Sequence, residues 1–177
     1  MASVTLRELV RSDWPALRDI RLHALRTEPG VFFSRYADEA VQADEHWMAL
    51  ATGDEKHQLF GLFAGEELVG ISRVSVDRND PSGATAELGM SYIAPEYRGR
   101  GLAGQLYEAR LAWVRARPQF VRVVVGHRRS NEPSRRAIER FGFRWVGDRP
   151  HRWPDGSDED YVDYELLMPE TRGRSRV

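Results

Sequence analysis

Apolar residues recur along this chain with two alternating periods. Val4 to Leu9 alternates as a strand, and Leu17, Ile20, Ala24 and Leu25 then keep helical spacing until Glu28-Pro29-Gly30 stops the pattern. Ser12 and Asp13, followed by Pro15, supply N-cap candidates for that helix and a proline suited to its first turn. Asp44 to Ala51 predicts a second, short helix. Between them runs the aromatic stretch Val31 to Tyr36, equally suited to lining a pocket or to plain packing. Gln58 to Ala64 and Leu68 to Val76, joined through Gly65-Glu66-Glu67, predict an antiparallel hairpin, and Ala84 to Ile93 predicts a further strand after the turn-rich loop Asp77 to Gly83.

The order then becomes helix, strand, helix. Leu102, Leu106, Ala109 and Trp113 mark one helical face, Phe120 to Gly126 is a β-branched strand, and Asn131 to Arg140 predicts a helix capped by Asn131. Phe143 to Val146 and Tyr161 to Met168 predict the last strands, around a loop holding His151, Trp153, Pro154, Asp155 and Gly156. No repeat or linker interrupts the pattern, so 1–177 is expected to form one domain, with about 170–177 as a flexible tail.

Composition narrows the function. The 177 residues are 41% hydrophobic and 30% charged, as in a soluble protein with a real core. No apolar run approaches the roughly 20 residues of a membrane span, and Arg7 and Glu8 interrupt the N-terminal segment as no signal peptide would. A cytoplasmic protein without membrane contact is the expectation. There is no cysteine, which removes disulfides, thiolate metal sites and any acyl-cysteine intermediate. The five histidines lack metal-ligand spacing, so no metal is expected, and His127 reads as an ordinary strand-end residue.

The formal charge of -1 conceals an asymmetry. Residues 97–152 carry 14 basic and 4 acidic side chains, between acidic flanks. Such a segment suits a polyanionic ligand, and a phosphate-bearing cofactor fits better than nucleic acid, for which no readout motif is present. Within it, Arg98-Gly99-Arg100-Gly101-Leu102-Ala103-Gly104 joins a strand to an amphipathic helix. Small residues let backbone N–H groups approach an anion there, at the positive end of a helix. The stretch lacks the Gly-Lys-Ser/Thr of a P-loop and the spacing of a dinucleotide fingerprint. Glycines at a helix start also serve as a plain tight turn.

Arg98, Gly101 and Ala103 resemble the Arg/Gln-x-x-Gly-x-Gly/Ala signature of the GNAT superfamily of N-acetyltransferases. Asn131 and Ser134, followed by Ala137, Ile138 and Phe141-Gly142-Phe143, resemble a second motif of that superfamily, in a form similar to the ribosomal-protein alanine N-acetyltransferases. The match spans about Ala84 to Val146. It implies an α/β fold with a mixed, mainly antiparallel sheet of about seven strands and helices on both faces. It also implies acetyl-coenzyme A as cosubstrate, contacted by Ser91, Tyr92 and Ile93 on a bulged strand, by the loop Arg98 to Gly104, and by Asn131 and Ser134.

The activity implied is direct transfer of the acetyl group to a primary amine, on a small molecule or a protein N-terminus. Glu87, 11 residues before Arg98, stands where histone-type members carry a general base; a strand-end glutamate in a salt bridge is the other reading. The tyrosine that usually protonates the leaving thiolate, seven positions after the motif asparagine, is replaced by Ile138. Tyr92, Ser134 or a bound water are substitutes. The acidic cluster Asp155, Asp158, Glu159 and Asp160 is suited to drawing a cationic amine or to being simply solvated. A non-catalytic coenzyme A sensor of the same fold is the alternative function, and a succinyl or propionyl donor a variant of the first. Relatives commonly dimerise, so the resemblance allows a homodimer, although no stretch marks an interface.

Overall fold

The computed structural model describes residues 3–169, so the segment expected to be a flexible tail lies outside the described residues. These residues form a seven-stranded sheet in the order β1-β2-β3-β4-β5-β7-β6. The strands are β1 (Val4–Glu8), β2 (His57–Ala64), β3 (Glu67–Val76), β4 (Thr85–Ile93), β5 (Arg122–Arg128), β6 (Arg144–Arg149) and β7 (Tyr161–Leu167). Every neighbouring pair is antiparallel except β4 with β5. The mixed, mainly antiparallel sheet expected above is therefore present.

Helices cover both faces. α1 (Trp14–Thr27) and α3 (Asp44–Ala51) close one core with Leu59, Phe63, Ile71 and Tyr92, while a short helix, α2 (Tyr36–Ala40), extends the aromatic connection. On the other face, α4 (Leu102–Arg115) and α5 (Glu132–Arg140) pack over Phe60, Leu62, Val74, Ala86, Leu88, Val123 and Val125. The alternation of β-strand side chains divides these two sets, as period-2 geometry requires.

Three local expectations need correction. The N-cap expected from Ser12 or Asp13 does not form: a 3-10 turn over Arg11–Asp13 precedes α1, and Asp13 is already in helical backbone geometry. Its carboxylate turns back to accept from the Val10 amide at 2.8 Å and from the Arg7 guanidinium at 2.7 and 2.8 Å. The strand expected over Phe143 to Val146 instead runs Arg144–Arg149, because pairing with β7 extends it as an edge strand while Phe143 is buried in the α4 core. The stretch Phe120 to Gly126 starts its ladder only at Arg122, since Phe120 is taken up beside Trp113.

Asn131 behaves as expected, its Oδ1 accepting from the Ser134 amide at 3.2 Å to cap α5.

Candidate active site

The central feature is a break in the sheet. β4 and β5 pair only through Thr85↔Arg122, Ala86↔Val123 and Glu87↔Val124. Beyond Glu87 the strands part, and among the described residues the β5-facing backbone groups of Leu88 to Ile93 have no strand partner. An open strand edge of this kind presents a row of backbone donors and acceptors to which an extended ligand can add.

A bulge shapes that edge. Met90 has a φ of 52°, and the register between β3 and β4 slips so that Met90 and Ser91 face Ser72 alone. Leu88 therefore points to the α4 core, Met90 and Tyr92 to the α1 core, and Ser91 back to α4. The bulged strand implied by the family resemblance is present, and its effect is to exchange the faces of every residue after Gly89.

Next comes the glycine loop. Gly99 and Gly101 hold φ values of 76° and 75°, where a side chain is strained even though a Cβ would meet nothing within 4 Å. Gly101 starts α4, and the first turn closes with the Gly104 amide donating to the Gly101 carbonyl at 3.0 Å. The Leu102 and Ala103 amides precede that bond and point out of the helix start, an arrangement suited to phosphate oxygens. Leu102's side chain lies in the core, so only its backbone faces the loop side.

The arginines of this segment are more committed than their number suggests. Arg98 donates through Nε to the Ile93 carbonyl at 2.7 Å and pairs with Glu28 at the end of α1. Arg100 lies over the Tyr97 ring and bonds the Glu96 carbonyl at 3.1 Å. Arg128 pairs with Asp155 and Glu159, Arg129 with Asp148 and Asp160, and Arg152 with Asp158. The excess positive charge of residues 97–152 is thus largely answered in the fold. The acidic cluster is spent as well: each of Asp155, Asp158, Glu159 and Asp160 already has an arginine, which removes the free acidic lure for a cationic amine.

Glu87 sits at the fork, the last β4 residue to pair with β5. Its side chain lies on the α1 face, opposite Ala86 and Leu88, and diagonal to Arg73 of β3. Burial pushes its carboxyl above the ordinary range, against the pull of Arg73. Arg73 is itself half-buried, with Nε unpartnered among the described residues. The surrounding wall is aromatic: Tyr161 lies over Gly126, where a Cβ would come within 2.3 Å of its ring, and Phe33 meets Tyr161 at 4.7 Å, His151 at 4.6 Å and Trp153 at 5.5 Å.

The aromatic connection thus divides its work. Phe32 packs beneath Arg21, and Phe33, 47% exposed, faces this wall. The structure brings Glu87 and the bulge residues Ser91, Tyr92 and Ile93 to one strand, with the Arg98 to Gly104 loop following directly. Asn131 and Ser134 stand apart at the start of α5, joined to each other by the cap. Ile138 is fully buried in the α4 core, and His127 is buried on that same side against Tyr164, away from Glu87. Sequence reading missed Arg73 and Tyr161, whereas Phe33 lies in the aromatic stretch Val31 to Tyr36 that is equally suited to lining a pocket or to packing. An arginine in the apolar run Leu68 to Val76 was the available signal for the first.

The model of the acetyltransferase (GNAT) family matches residues 8–143. Phosphinothricin N-acetyltransferase from Streptomyces coelicolor is 32% identical over 150 residues, covering 82% of this chain and 85% of that protein. Among solved structures, yncA from Salmonella typhimurium, held with its cofactor acetyl-CoA, superposes with a TM-score of 0.77 at 18% identity over 96% of each chain. A ribosomal-protein-alanine N-acetyltransferase from Brucella melitensis gives 0.75 at 18% identity, over 93% of this chain and 99% of its own. At such identities the two structures speak for the fold.

Proposed function

The chain belongs to the acetyltransferase (GNAT) family, and from that membership we propose that it moves the acetyl group of acetyl-coenzyme A directly onto the primary amine of a small molecule or of a protein N-terminus. The observation that carries the reading is the fork between β4 and β5, with an open backbone edge on one side, Glu87 at its base and the Gly99–Gly101 loop at its end. The thioester lies along Ser91, Tyr92 and Ile93, where free amides donate to the carbonyl oxygen as it becomes an oxyanion. The pyrophosphate takes the Leu102 and Ala103 amides, with Arg98, Gly99, Arg100, Gly101 and Gly104 shaping the loop, and Asn131 and Ser134 flank the far side. The bound coenzyme supplies an activated acetyl group; Glu87 receives the amine's proton, directly or through water.

Its raised carboxyl suits that duty, since a base must compete for a proton near neutral pH. Between the two acceptor classes, Arg73 favours a small amine that also carries an anionic group, because a half-buried cation whose Nε has no partner among the described residues, beside Glu87, offers it a counter-charge. The curated relative named for phosphinothricin agrees with a small-molecule acceptor.

The test is release of coenzyme A thiol from acetyl-coenzyme A across a panel of amino acids, polyamines and peptides. Turnover with acidic amino acids that Glu87→Gln depresses supports the proposal. Binding of coenzyme A without release to any amine would leave the sensor function instead.

A further inference from the structure

Arg110 is an arginine in the wrong place for structure alone. It lies on α4 four residues after Leu106, on the helix face that packs against the sheet, and 1% of its surface is exposed. Nε donates to the Leu106 carbonyl at 3.1 Å, Nη1 donates to Ser91 Oγ at 3.2 Å, and the guanidinium lies 4.4 Å from the Tyr107 ring centroid. Burial lowers its pKa against the opposing influence of Tyr107, but an arginine remains charged in a protein. Among the described residues no carboxylate pairs with it. The elements packed against it offer Tyr107 and a carbonyl from α4, Ser91 from β4 and, behind Ser91, Ser72 from β3. Burying a lone cation is costly, and an apolar side chain would fill this position better.

What faces the charge is the bulge. Ser91 reaches α4 only because the bulge reverses the strand's alternation. Its hydroxyl is 2.7 Å from that of Ser72, which is fully buried, while Ser91 itself remains exposed at the open edge of β4. Arg110 donates to Ser91 Oγ, and either hydroxyl of the Ser72–Ser91 pair can donate to the other; when Ser72 is the donor, Ser91 Oγ accepts two hydrogen bonds and its own proton is free to point outward to the fork.

We propose that Arg110, acting through Ser91, stabilises the thiolate of coenzyme A as the carbon–sulfur bond breaks. The inference rests on the proposed acetyl transfer. The amine lone pair forms the C–N bond and the carbonyl π pair moves to oxygen. That pair returns as the C–S bond breaks and its electrons stay on sulfur; the nitrogen's proton passes to Glu87 or water. Sulfur departs as a thiolate that accepts a hydrogen bond from Ser91, within the field of Arg110, and takes its proton afterwards from solvent. Ser91 touches the leaving group, whereas Arg110 is a positioning residue. The pair replaces the tyrosine whose place is held by Ile138.

The chain has no cysteine, so in a complex with coenzyme A the cofactor's thiol is the sole thiol and its ionisation is read directly from ultraviolet thiolate absorbance. Bound to the wild type, that thiol should ionise at least about tenfold more readily than in free coenzyme A, a full unit lower in pH. Arg110→Met should return it to the free value, Arg110→Lys should recover part of the shift, and Ser91→Ala should lose it. Arg110→Met should melt no lower than wild type, which separates an electrostatic role from a structural one. If Arg110→Met fails to fold, the exposed position 91 carries the test. Ionisation as in free coenzyme A, or a shift that survives both Arg110→Met and Ser91→Ala, would overturn the proposal. Failure of coenzyme A to bind, seen by calorimetry, would overturn the acetyl-transfer reading with it.

Discussion

Two arginines are buried on opposite faces of one sheet, and the fold treats them differently. Arg21 on α1 is 4% exposed and held by Glu39 through two hydrogen bonds of 2.9 and 2.7 Å, with Phe32 beneath it. Arg110 on α4 is buried as deeply and has a serine hydroxyl, a carbonyl and a ring face instead of an acid. The first is an ion pair that fastens α2 to α1, with Nη1 of Arg21 left without a hydrogen-bond partner among the described residues. The second leaves its charge directed at the edge of β4. A buried ion pair locks structure, whereas a buried cation without a counter-ion leaves a field for something else to use.

Breaking that ion pair should have the largest effect. Glu39→Ala leaves Arg21 buried and unpaired, at a cost of about 3–5 kcal/mol, read as a fall in the denaturant midpoint. Burial works to raise the Glu39 carboxyl, but the bonds from Arg21 overcome it and hold it below its ordinary value. The stabilisation is therefore complete above the unfolded carboxylate's pKa of about 4.3 and is lost as pH falls through the depressed folded value. Denaturant midpoints that decline below about pH 4 in the wild type, and stay flatter in Glu39→Ala, would bear this out.

Glu87 stands between the two cases, a carboxylate near a cation but raised by burial. Glu87→Gln should lower kcat about 100-fold, the lower end expected for general-base removal. The ionised fraction of a base grows with pH, so wild-type turnover should climb with pH through a limb above the ordinary carboxylate range, and the variant should lack that limb. Equal turnover and an unchanged profile would reassign Glu87 to structure.

Much of the proposed cofactor half was legible as structure because its features reside in backbone geometry. Gly99 and Gly101 supply positive φ, Asn131 caps a helix, and both leave a mark in the sequence at fixed spacing. Asn131→Ala should accordingly cost about 1 kcal/mol of stability, seen in the melting temperature. The acceptor half was not legible in this way. Phe33, His151, Trp153 and Tyr161 come from segments more than a hundred residues apart, and no local pattern brings them together. The segment charge misled for the same reason: the basic excess of residues 97–152 includes Arg128 and Arg129, which Asp155, Glu159 and Asp160 answer only in the fold. Arg110 hid inside an amphipathic helix whose apolar face was read through Leu102, Leu106, Ala109 and Trp113. Stepping four residues from Leu106 would have exposed it.

The smallest effect on stability should come from the most deeply buried charge. Arg110→Met should leave the unfolding free energy near the wild-type value or above it, in contrast to Glu39→Ala. A loss as large as that of Glu39→Ala would erase the distinction between the two arginines.

The central claim is that the fork of β4 and β5, with its glycine loop, holds acetyl-coenzyme A. Calorimetric titration of the purified protein with acetyl-coenzyme A, beside Gly101→Trp, tests it most directly. Gly101 holds a φ of 75° in open space, so tryptophan there both strains the loop and fills the proposed phosphate position. Saturable binding by the wild type that the variant loses is the expected result. No binding by the folded wild type, or equal binding by the variant, would contradict the account.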